Sequence, residues 1–486
     1  MTSLKTNVVL NLLHTLTGII FPIITFPYAA RVLLPEGIGV IGFQQSIISY
    51  IVLFTSLGIP LYAVREVSRN KDDIEKRNRT TLEILILSLF LCVLGYIAVF
   101  IIGEIVPQIN SNLKTFYILS LTILFNSLGV NWFYQAIEDF KFITIRSVIF
   151  RTVSAAALFI FVKDSSDLNI YALVTVSSTV GNNIINIIHL RRYVKRRQIN
   201  IPTLKISHHF IPALRIFVLN LVTSIYVHLN TILLGFMKGD EAVGYYYTGN
   251  RLTQIILTLI TSLGSTLLPR CSNLVENNKW EEFKVITKKS YRLIFALSLP
   301  ASLGLIILKE PIIDIFFGQN YVESAKVLAW TAPTLFFVGL TNLIGIQILY
   351  PNGKENIVIV STLIGAIVSV LLNSFLIPRL SYIGAAVSTL IAEFFVLIVQ
   401  LIYGGKYVPF NFFDKTCLNY IAGSVLMTAT ILLFFKALSS PWSQIIICFF
   451  VGITVYIAWL TKVKDPIAHD IIAYLKSLTK FRISKQ

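Results

Sequence analysis

The chain has 486 residues and a formal net charge of +17, and 55% of its residues are hydrophobic while 13% are charged. Because soluble domains carry about 25% charged residues, this composition excludes an ordinary soluble protein. Apolar stretches of about 20 residues, enough to cross a hydrocarbon layer of about 30 Å, recur along the whole chain. The sequence therefore predicts an all-α polytopic membrane protein, since a helix satisfies its own backbone hydrogen bonds inside a bilayer.

Fourteen membrane spans are predicted from these stretches, and the first is expected to be retained because no small-residue cleavage site follows it. The spans are expected near residues 7–30, 39–62, 82–102, 114–137, 143–162, 168–190, 211–236, 242–268, 291–308, 325–349, 356–377, 382–402, 417–437 and 441–461.

The first two spans carry polar and small residues at helical spacing, the reverse of the apolar stripe of a surface helix. These residues are Asn7, Asn11, His14, Gly18 and Thr25 in span one, and Gln45, Ser49 and Ser56 in span two. The pattern predicts two helices that face a polar path, or, for the small residues, close contact between helices. Pro22 and Pro27 interrupt the hydrogen-bond ladder of span one and predict a bend, either flexible or static. Close helix packing is expected to explain the glycines of GIGVIG (37–42).

The cationic residues are distributed unevenly between the loops. With the N-terminus inside, 32 of the 41 Lys and Arg residues fall in inside loops and tails, 8 fall outside, and Arg251 alone lies deep in a span. The positive-inside rule then places both termini in the cytoplasm. The cluster RRYVKRRQ (191–198) would suit a nucleic-acid patch in a soluble protein, but here it is interpreted as an orientation signal beside anionic lipid. No nucleic-acid partner is expected.

No metal or cofactor site is predicted. His208 and His209 are adjacent in a basic loop, with no acidic or cysteine residue near them in the sequence. Glu83 is expected to pair with Arg79, and Glu138 with Arg146, near the cytoplasmic ends of their spans.

Span eight has the most informative polar stripe. Tyr247, Arg251, Gln254, Thr258, Thr261 and Ser265 follow at steps of three and four residues, and span seven gives Asn220, Ser224, His228 and Thr231. An arginine near a bilayer centre costs at least about 2.5–3.5 kcal/mol, so it is expected in a wet cavity or beside a partner. We interpret Arg251 as an anion-binding group in a water-filled cleft. The alternative is that it snorkels toward the outer interface.

Glu393 is a carboxylate near the middle of span twelve. Two interpretations stay open, a proton- or cation-coupling site and an acid paired within the core of a lobe.

The two halves of the chain resemble each other at an offset of about 205 residues. The segments 39–58 and 244–264 both begin with Gly and end in Thr-Ser-Leu-Gly, apart from small shifts, and are followed by an arginine. Six spans per repeat is an even number, so the repeats are predicted to be parallel lobes around a central cavity. The predicted divisions are 1–206, 207–402, and 403–486, the last holding spans thirteen and fourteen.

The chain resembles the Wzx-type polysaccharide flippases of the multidrug/oligosaccharidyl-lipid/polysaccharide exporter superfamily. The resemblance is carried by FPYAARVLLPEGIGVIGFQQSIISY, the charged turn AVREVSRN, WFYQAIEDFKFITIRSVI, LLPRCSNLVENNKWEEFK, QILYPNGKEN and LIPRLSYIGAAVSTLIAE.

This resemblance implies a non-enzymatic bacterial inner-membrane transporter. Its substrate would be a polyprenyl-pyrophosphate-linked oligosaccharide, moved from the cytoplasmic to the outer face by alternating access. Membrane lipid and polysaccharide assembly enzymes are the other candidate partners. The side chains expected to bind the substrate are Arg251, Gln254, Tyr247, Asn250, Asn220, His228, Gln44, Gln45 and Asn11.

Two other functions are weighed. A cation or multidrug antiporter of the same superfamily should carry a carboxylate within its first spans, and spans one and two have none before Glu66. A membrane polymerase or ligase of sugar chains should carry a sizeable outer loop with acids or arginines, and the predicted outer loops are short.

Overall fold

Helices make up nearly all of the chain that the structure describes, and no strand occurs among those residues. The computed structural model describes residues 4–194, 204–411 and 415–467; within these ranges, the side chains of 4–9, 11–12, 14–15, 19, 218–227, 263 and 415 are not described. The all-α prediction is confirmed for this part of the chain.

The chain divides into two compact units, Met1–Tyr247 and Thr248–Gln486. The helix that opens the second sequence repeat, Ser207–Lys238, packs within the first unit. Packing and sequence duplication therefore divide the chain at different places, and the division based on repeats stays a prediction.

The first unit contains nine helices and the start of a tenth among its described residues. They are α1 (Leu4–Ser56), α2 (Ile59–Arg69), α3 (Ile74–Ile105), α4 (Pro107–Asn110), α5 (Leu113–Leu128), α6 (Asn131–Ala136), α7 (Phe140–Phe161), α8 (Leu168–Leu190), α9 (Ser207–Lys238) and the first turns of α10 (Asp240–Glu276).

The second unit holds the rest of α10 and the following helices. They are α11 (Trp280–Ile307), α12 (Lys309–Phe317), α13 (Val322–Thr331), α14 (Thr334–Asn342), a π-helical segment (Leu343–Leu349), α15 (Glu355–Gly404), α16 (Lys415–Ala437) and α17 (Pro441–Lys462).

Helices occupy each of the fourteen predicted spans, but fewer satisfy a strict test for crossing a membrane. In the described residues nine helices are long and apolar enough, or ten if the bent pair Gln319–Thr331 and Thr334–Leu349 is one span. Two of the nine, within Leu16–Arg69 and Glu355–Tyr407, each cover two predicted spans. The number fourteen stays a prediction.

The break between spans one and two lies at Leu34. Leu34 has φ 61° and is the one residue of α1 with non-helical backbone angles, whereas Pro22 and Pro27 lie inside the helix. Positive φ is costly for a bulky side chain, and a proline disfavours the helical region for the residue before it. The sequence Leu34-Pro35 therefore separates the two halves of α1.

The predicted charged turn AVREVSRN is instead part of an amphipathic helix, α2. Leu57 and Gly58 have positive φ and separate α2 from α1. A Cβ atom at Gly58 would lie 2.7 Å from both the Ala213 carbonyl oxygen and the Phe217 nitrogen of α9. Glycine is thus required here by conformation and by space. The buried face of α2 packs against α6 and α9.

Predicted span four is broken into α5 and α6. Between them Val130 has φ 23°, and the carbonyl group of Gly129 accepts a hydrogen bond from Asn186 of α8. A helix break leaves backbone groups without helical partners. The Asn186 amide satisfies one of them from a neighbouring helix.

The contact between α1 and the first turns of α10 has approximate two-fold symmetry. A Cβ atom on Gly39 would overlap the carbonyl oxygen of Asp240, and one on Gly244 would overlap that of Pro35. Gly39 and Pro35 correspond to Gly244 and Asp240 at the same offset of 205 residues. Each glycine therefore packs on the residue four positions before its counterpart in the other repeat. This confirms close packing as the reason for Gly39 and supports the predicted repeat.

In the second unit, α16 and α17 are tied to the helices beside them. The Tyr291 hydroxyl of α11 lies 2.6 Å from the Cys417 sulfur of α16. The Tyr420 hydroxyl of α16 donates to the carboxylate of Asp465, just beyond α17, at 2.9 Å. Both contacts are buried, so spans thirteen and fourteen pack as part of this unit.

Candidate functional site

One face of α10 is used for packing within the second unit. The hydroxyl groups of Thr253 and Thr331 of α13 are 2.8 Å apart and buried. A Cβ atom on Gly249 would lie 2.6 Å from the carbonyl oxygen of Ser324. Gly264, on the same face of the helix, is buried as well. This face is closed by contact with α13 and α14.

The predicted polar stripe lies on another side of α10. At 3.6 residues per turn, Arg251, Gln254 and Thr258 point roughly 100° to 160° away from Thr253. Gln254 and Thr258 are exposed, while Arg251 and Asn250 are half-buried. The stripe therefore lies outside the face of α10 that packs within the second unit.

Tyr247, at the start of the stripe, packs against α1. An ideal Cβ on Gly42 would lie 3.0 Å from the Tyr247 ring, and the Phe26 ring meets it edge-on with centroids 5.9 Å apart. The side chain is half-buried. Its ring is positioned by α1, which leaves part of its surface accessible.

The two glutamines of α1 have different surroundings. Gln44 is fully buried, and its amide donates to the Asn112 carbonyl oxygen at 3.1 Å, at the start of α5. Gln45 is half-buried. The structure thus gives Gln44 a packing role in this conformation and leaves Gln45 partly accessible. The side chain of Asn11 lies outside the described residues.

His228 of α9 is half-buried and faces α1. Its ring meets the Tyr50 ring edge-on, with centroids 5.9 Å apart. Edge-to-face pairs at this distance are a favourable packing arrangement for aromatic rings. The side chain of Asn220, one of the other predicted residues on α9, lies outside the described part of the chain.

Arg151 is a second arginine in the middle of a helix, although the predicted charge distribution places it with an inside loop. Arg151 lies at the middle of the 22-residue helix α7. Its Nη1 donates to the Thr17 hydroxyl at 2.7 Å, and an ideal Cβ on Gly18 would lie 3.4 Å from its Nη2. The expectation that Arg251 alone lies deep in a span is therefore wrong. The inside total of 32 falls by one, which leaves the charge asymmetry intact.

Arg146, on the same helix, is almost completely buried and is held by amides. Its Nε donates to Asn182 at 3.0 Å and its Nη2 donates to Asn131 at 2.8 Å. The expected partner, Glu138, is instead exposed and pairs with Lys71 at 3.0 Å. The prediction of a Glu138–Arg146 pair is wrong because the chain turns between them, with Glu138 at φ 60°.

A buried charged cluster joins the start of α9 to α2 and α3. The Glu83 carboxylate lies 2.8 Å from His209 Nε2, and it accepts bonds from Arg79 at 3.0 Å and from the Lys205 backbone N–H at 2.7 Å. The other ring nitrogen of His209 lies 2.7 Å from the Tyr62 hydroxyl. The predicted Glu83–Arg79 pair is confirmed. The histidine has an acidic neighbour that is distant in the sequence.

Two other polar features of the second unit are a buried acid and a cavity. Glu393 is 9% exposed within α15. A cavity of about 370 Å³ in the second unit has carboxylates in its wall; its lining is Glu310, Pro311, Ile313, Asp314, Gln319, Val322, Ala325, Phe435, Pro441 and Gln444. Within the described residues, no group of three or more His, Cys, Asp or Glu side chains is arranged to hold a metal ion.

Two family models match the chain. The model described as polysaccharide biosynthesis protein matches residues 4–275, and the MatE model matches residues 216–376. The first covers more than half of the chain and includes every predicted substrate-binding residue.

Curated relatives match over most of their length. The chain is 25% identical over 404 residues to a putative O-antigen transporter of Escherichia coli K12, covering 82% of this chain and 96% of that protein. It is 25% identical over 371 residues to the capsular polysaccharide biosynthesis protein CapF of Staphylococcus aureus, covering 75% and 90%.

Solved structures share the fold. The lipid II flippase MurJ in an inward closed conformation matches with a TM-score of 0.75 at 17% identity, over 95% of this chain and all of that one. An inward-facing multidrug transporter of the MATE family matches with a TM-score of 0.65 at 15% identity, over 81% and 94%. At these identities the likeness concerns the fold alone.

Proposed function

Because the chain belongs to the polysaccharide biosynthesis protein family, as a Wzx-type member of the multidrug/oligosaccharidyl-lipid/polysaccharide superfamily, we propose that it flips a lipid-linked polysaccharide precursor. The substrate is a polyprenyl-pyrophosphate-linked oligosaccharide, carried from the cytoplasmic to the outer face of the bacterial inner membrane. The names of the relatives, an O-antigen transporter and a capsular polysaccharide protein, support this substrate class.

The observation that carries the proposal is the orientation of the α10 stripe. Arg251, Gln254 and Thr258 are turned away from the face that packs on α13, so they offer charge and hydrogen bonds to a ligand. Each unpaired hydroxyl of an oligosaccharide costs a few kcal/mol in hydrocarbon. A helix with a polar accessible face lowers this barrier while the polyprenyl chain stays in lipid.

Alternating access is the mechanism we propose. Helices α1 and α10 are in close contact at Gly39 and Gly244. We propose that the two helices separate at this contact when the substrate leaves between them. Both termini are proposed to be cytoplasmic, from the charge distribution. The membrane potential, negative inside, favours outward movement of an anionic head by roughly 2.3 kcal/mol per charge per 100 mV.

Glu393 stays a proposed coupling group, with a core acid as the alternative. Its burial in α15 fits both roles. Glu393→Gln keeps the size and removes the titration, so an ion-gradient dependence of transport that is unchanged in this variant would exclude coupling through Glu393.

A cation antiporter is the second candidate, favoured by the MatE match over residues 216–376. The first helix argues against it, because Glu36 is the one carboxylate between residues 4 and 56 and it lies exposed beside the break at Leu34. A cation site inside a membrane should contain an acid.

The experiment that separates these functions uses a strain in which the gene is deleted. The flippase predicts that lipid-linked oligosaccharide accumulates and surface polymer disappears, and that the wild-type gene restores both. An antiporter predicts normal surface polymer and increased sensitivity to cationic drugs.

A further inference from the structure

The first unit has a cationic side chain, Arg151, in the middle of a helix that is long and apolar enough to cross a membrane. Arg151 lies about 16 Å from either end of α7 at 1.5 Å per residue, farther than its side chain reaches. It therefore cannot place its charge in the interfacial region by snorkelling. Its guanidinium lies against α1, where Thr17 accepts a 2.7 Å hydrogen bond.

The residues that hold Arg151 belong to the polar part of α1. An ideal Cβ on Gly18 would lie 3.4 Å, 3.5 Å and 3.7 Å from Nη2, Nη1 and Cζ, so the guanidinium rests against the glycine backbone. Gly18 is a member of the stripe predicted to face the transport path. Thr17, Gly18 and Arg151 are all half-buried, so the group is neither sealed in the core nor fully exposed.

Arg146, on the same helix, has a structural role and serves as a comparison for Arg151. It is 4% exposed and is bound by two asparagine side chains, Asn131 and Asn182. Arg151 differs in its depth and in its partial accessibility. It also differs in its position against the backbone of Gly18.

We propose that Arg151, positioned by Thr17 over Gly18, binds the phosphate groups of the lipid-linked substrate in the first unit. A guanidinium has five N–H donors in a planar fork, so it can keep its bond to Thr17 while it contacts two phosphate oxygens. Charge-assisted bonds of this kind are the strong ones. The inference rests on the proposed function and adds a binding residue to it.

The test measures binding by the purified full-length protein in detergent. Two probes are titrated, a polyprenyl pyrophosphate without sugar and the corresponding polyprenyl alcohol. The wild type should prefer the pyrophosphate. Arg151→Gln should reduce that preference by about tenfold to a hundredfold, the value of a hydrogen bond to a charged group. Arg151→Lys should retain part of it, and Thr17→Val should lose about twofold to tenfold.

The ratio of the two affinities distinguishes binding from structural damage. A residue that only supports the fold would lower the affinities for pyrophosphate and alcohol together and leave their ratio unchanged. Thr152→Ala is the matched control, because Thr152 is exposed beside Arg151 and bonds its own helix at Val148. It should behave like the wild type.

Each outcome bears on the inference. If the wild type does not prefer pyrophosphate, the proposed function fails and the inference with it. If the wild type prefers it and Arg151→Gln keeps the full preference, the inference alone is overturned. If Arg151→Gln does not fold, the other two variants decide. The inference is overturned if both Arg151→Lys and Thr17→Val prefer the pyrophosphate over the alcohol as strongly as the wild type does. A loss that appears with a carrier bearing an acidic sugar, but not with the bare pyrophosphate, assigns Arg151 to the sugar carboxylate and contradicts the phosphate.

Discussion

Three arginines of this chain occupy three different environments, and their expected roles follow from them. Arg146 is enclosed by asparagine amides, Arg151 is half-buried against α1, and Arg251 lies half-buried on the accessible side of α10. A guanidinium cannot lose its proton in a protein. Each position must therefore supply polar groups or water, and an accessible one can also attract an anion.

Arg251 gives the first prediction. Arg251→Ala should abolish flipping without loss of membrane protein, because the charge that meets the anionic head is removed. Arg251→Lys should keep partial activity, since it retains the charge and loses the fork. Arg251→Gln copies Gln45 of the other repeat and should behave like Ala if charge is required. Surface polymer in the complemented deletion strain, normalised to protein abundance, is the measurement. Full activity of the Ala variant would reduce Arg251 to a snorkelling residue.

The Glu83 cluster gives a prediction about stability. Glu83→Ala removes the carboxylate that binds His209, Arg79 and the Lys205 N–H, and it should cost about 3–5 kcal/mol, as for a broken buried pair. The matched control is Glu138→Ala, because Glu138 is 59% exposed and its pair with Lys71 is worth about 0–1 kcal/mol. Thermal unfolding in detergent measures both. Equal unfolding temperatures for the two variants would show that the cluster does not hold α9 to α3.

Only some of the site residues could be predicted from the sequence. The stripe of α10 was predictable because its polar residues recur at steps of three and four. Arg151 lies within predicted span five (143–162) but was counted with the basic loop before that span, so its depth was missed. Its partner Thr17 is 134 residues away, and His209 is 126 residues from Glu83. Contacts between such distant residues depend on helix packing, which spacing within one helix does not reveal.

At the scale of elements, some helix breaks also depend on contacts with other helices, which the local sequence does not reveal. The break at Leu34-Pro35 lies between the predicted spans 7–30 and 39–62, but proline alone did not single it out, because Pro22 and Pro27 lie inside the helix. The division of span four at Gly129–Val130 was not, because Asn186 of another helix satisfies the freed carbonyl group. Helix α2 was predicted as a turn because many of its residues are charged. Its apolar residues lie on one face, which packs on α6 and α9.

The α1–α10 contact gives the prediction at this scale. Gly39→Val should force α1 and α10 apart, because even its Cβ would overlap the Asp240 carbonyl oxygen, and overpacking costs about 1–3 kcal/mol. Gly244→Val should act in the same way through Pro35. Gly304→Ala in α11 is the control, since nothing lies within 4 Å of its Cβ position. Thermal unfolding and transport should fall in the first two variants alone, and an unaffected Gly39→Val protein would contradict the tight contact.

At the scale of the whole molecule, orientation is the property that the charge distribution predicts. In a background with the four native cysteines replaced, a cysteine at Asp72 should resist a membrane-impermeant thiol reagent applied to intact cells. A cysteine at Lys238 should react with it. Both side chains are exposed, so reactivity reports the side of the membrane. Labelling at Asp72 together with protection at Lys238 would invert the topology.

Transbilayer movement of a lipid-linked oligosaccharide is what most directly defines a flippase. The purified protein is reconstituted into liposomes that contain a fluorescent polyprenyl-pyrophosphate-linked oligosaccharide, and an impermeant quencher is added outside. With the wild-type protein, nearly all of the fluorescence should become accessible in vesicles that contain protein. In protein-free vesicles and with Arg251→Ala, about half should stay protected in the inner leaflet. Protection of that half in the presence of correctly folded wild-type protein, with and without a membrane potential, would contradict the flippase function.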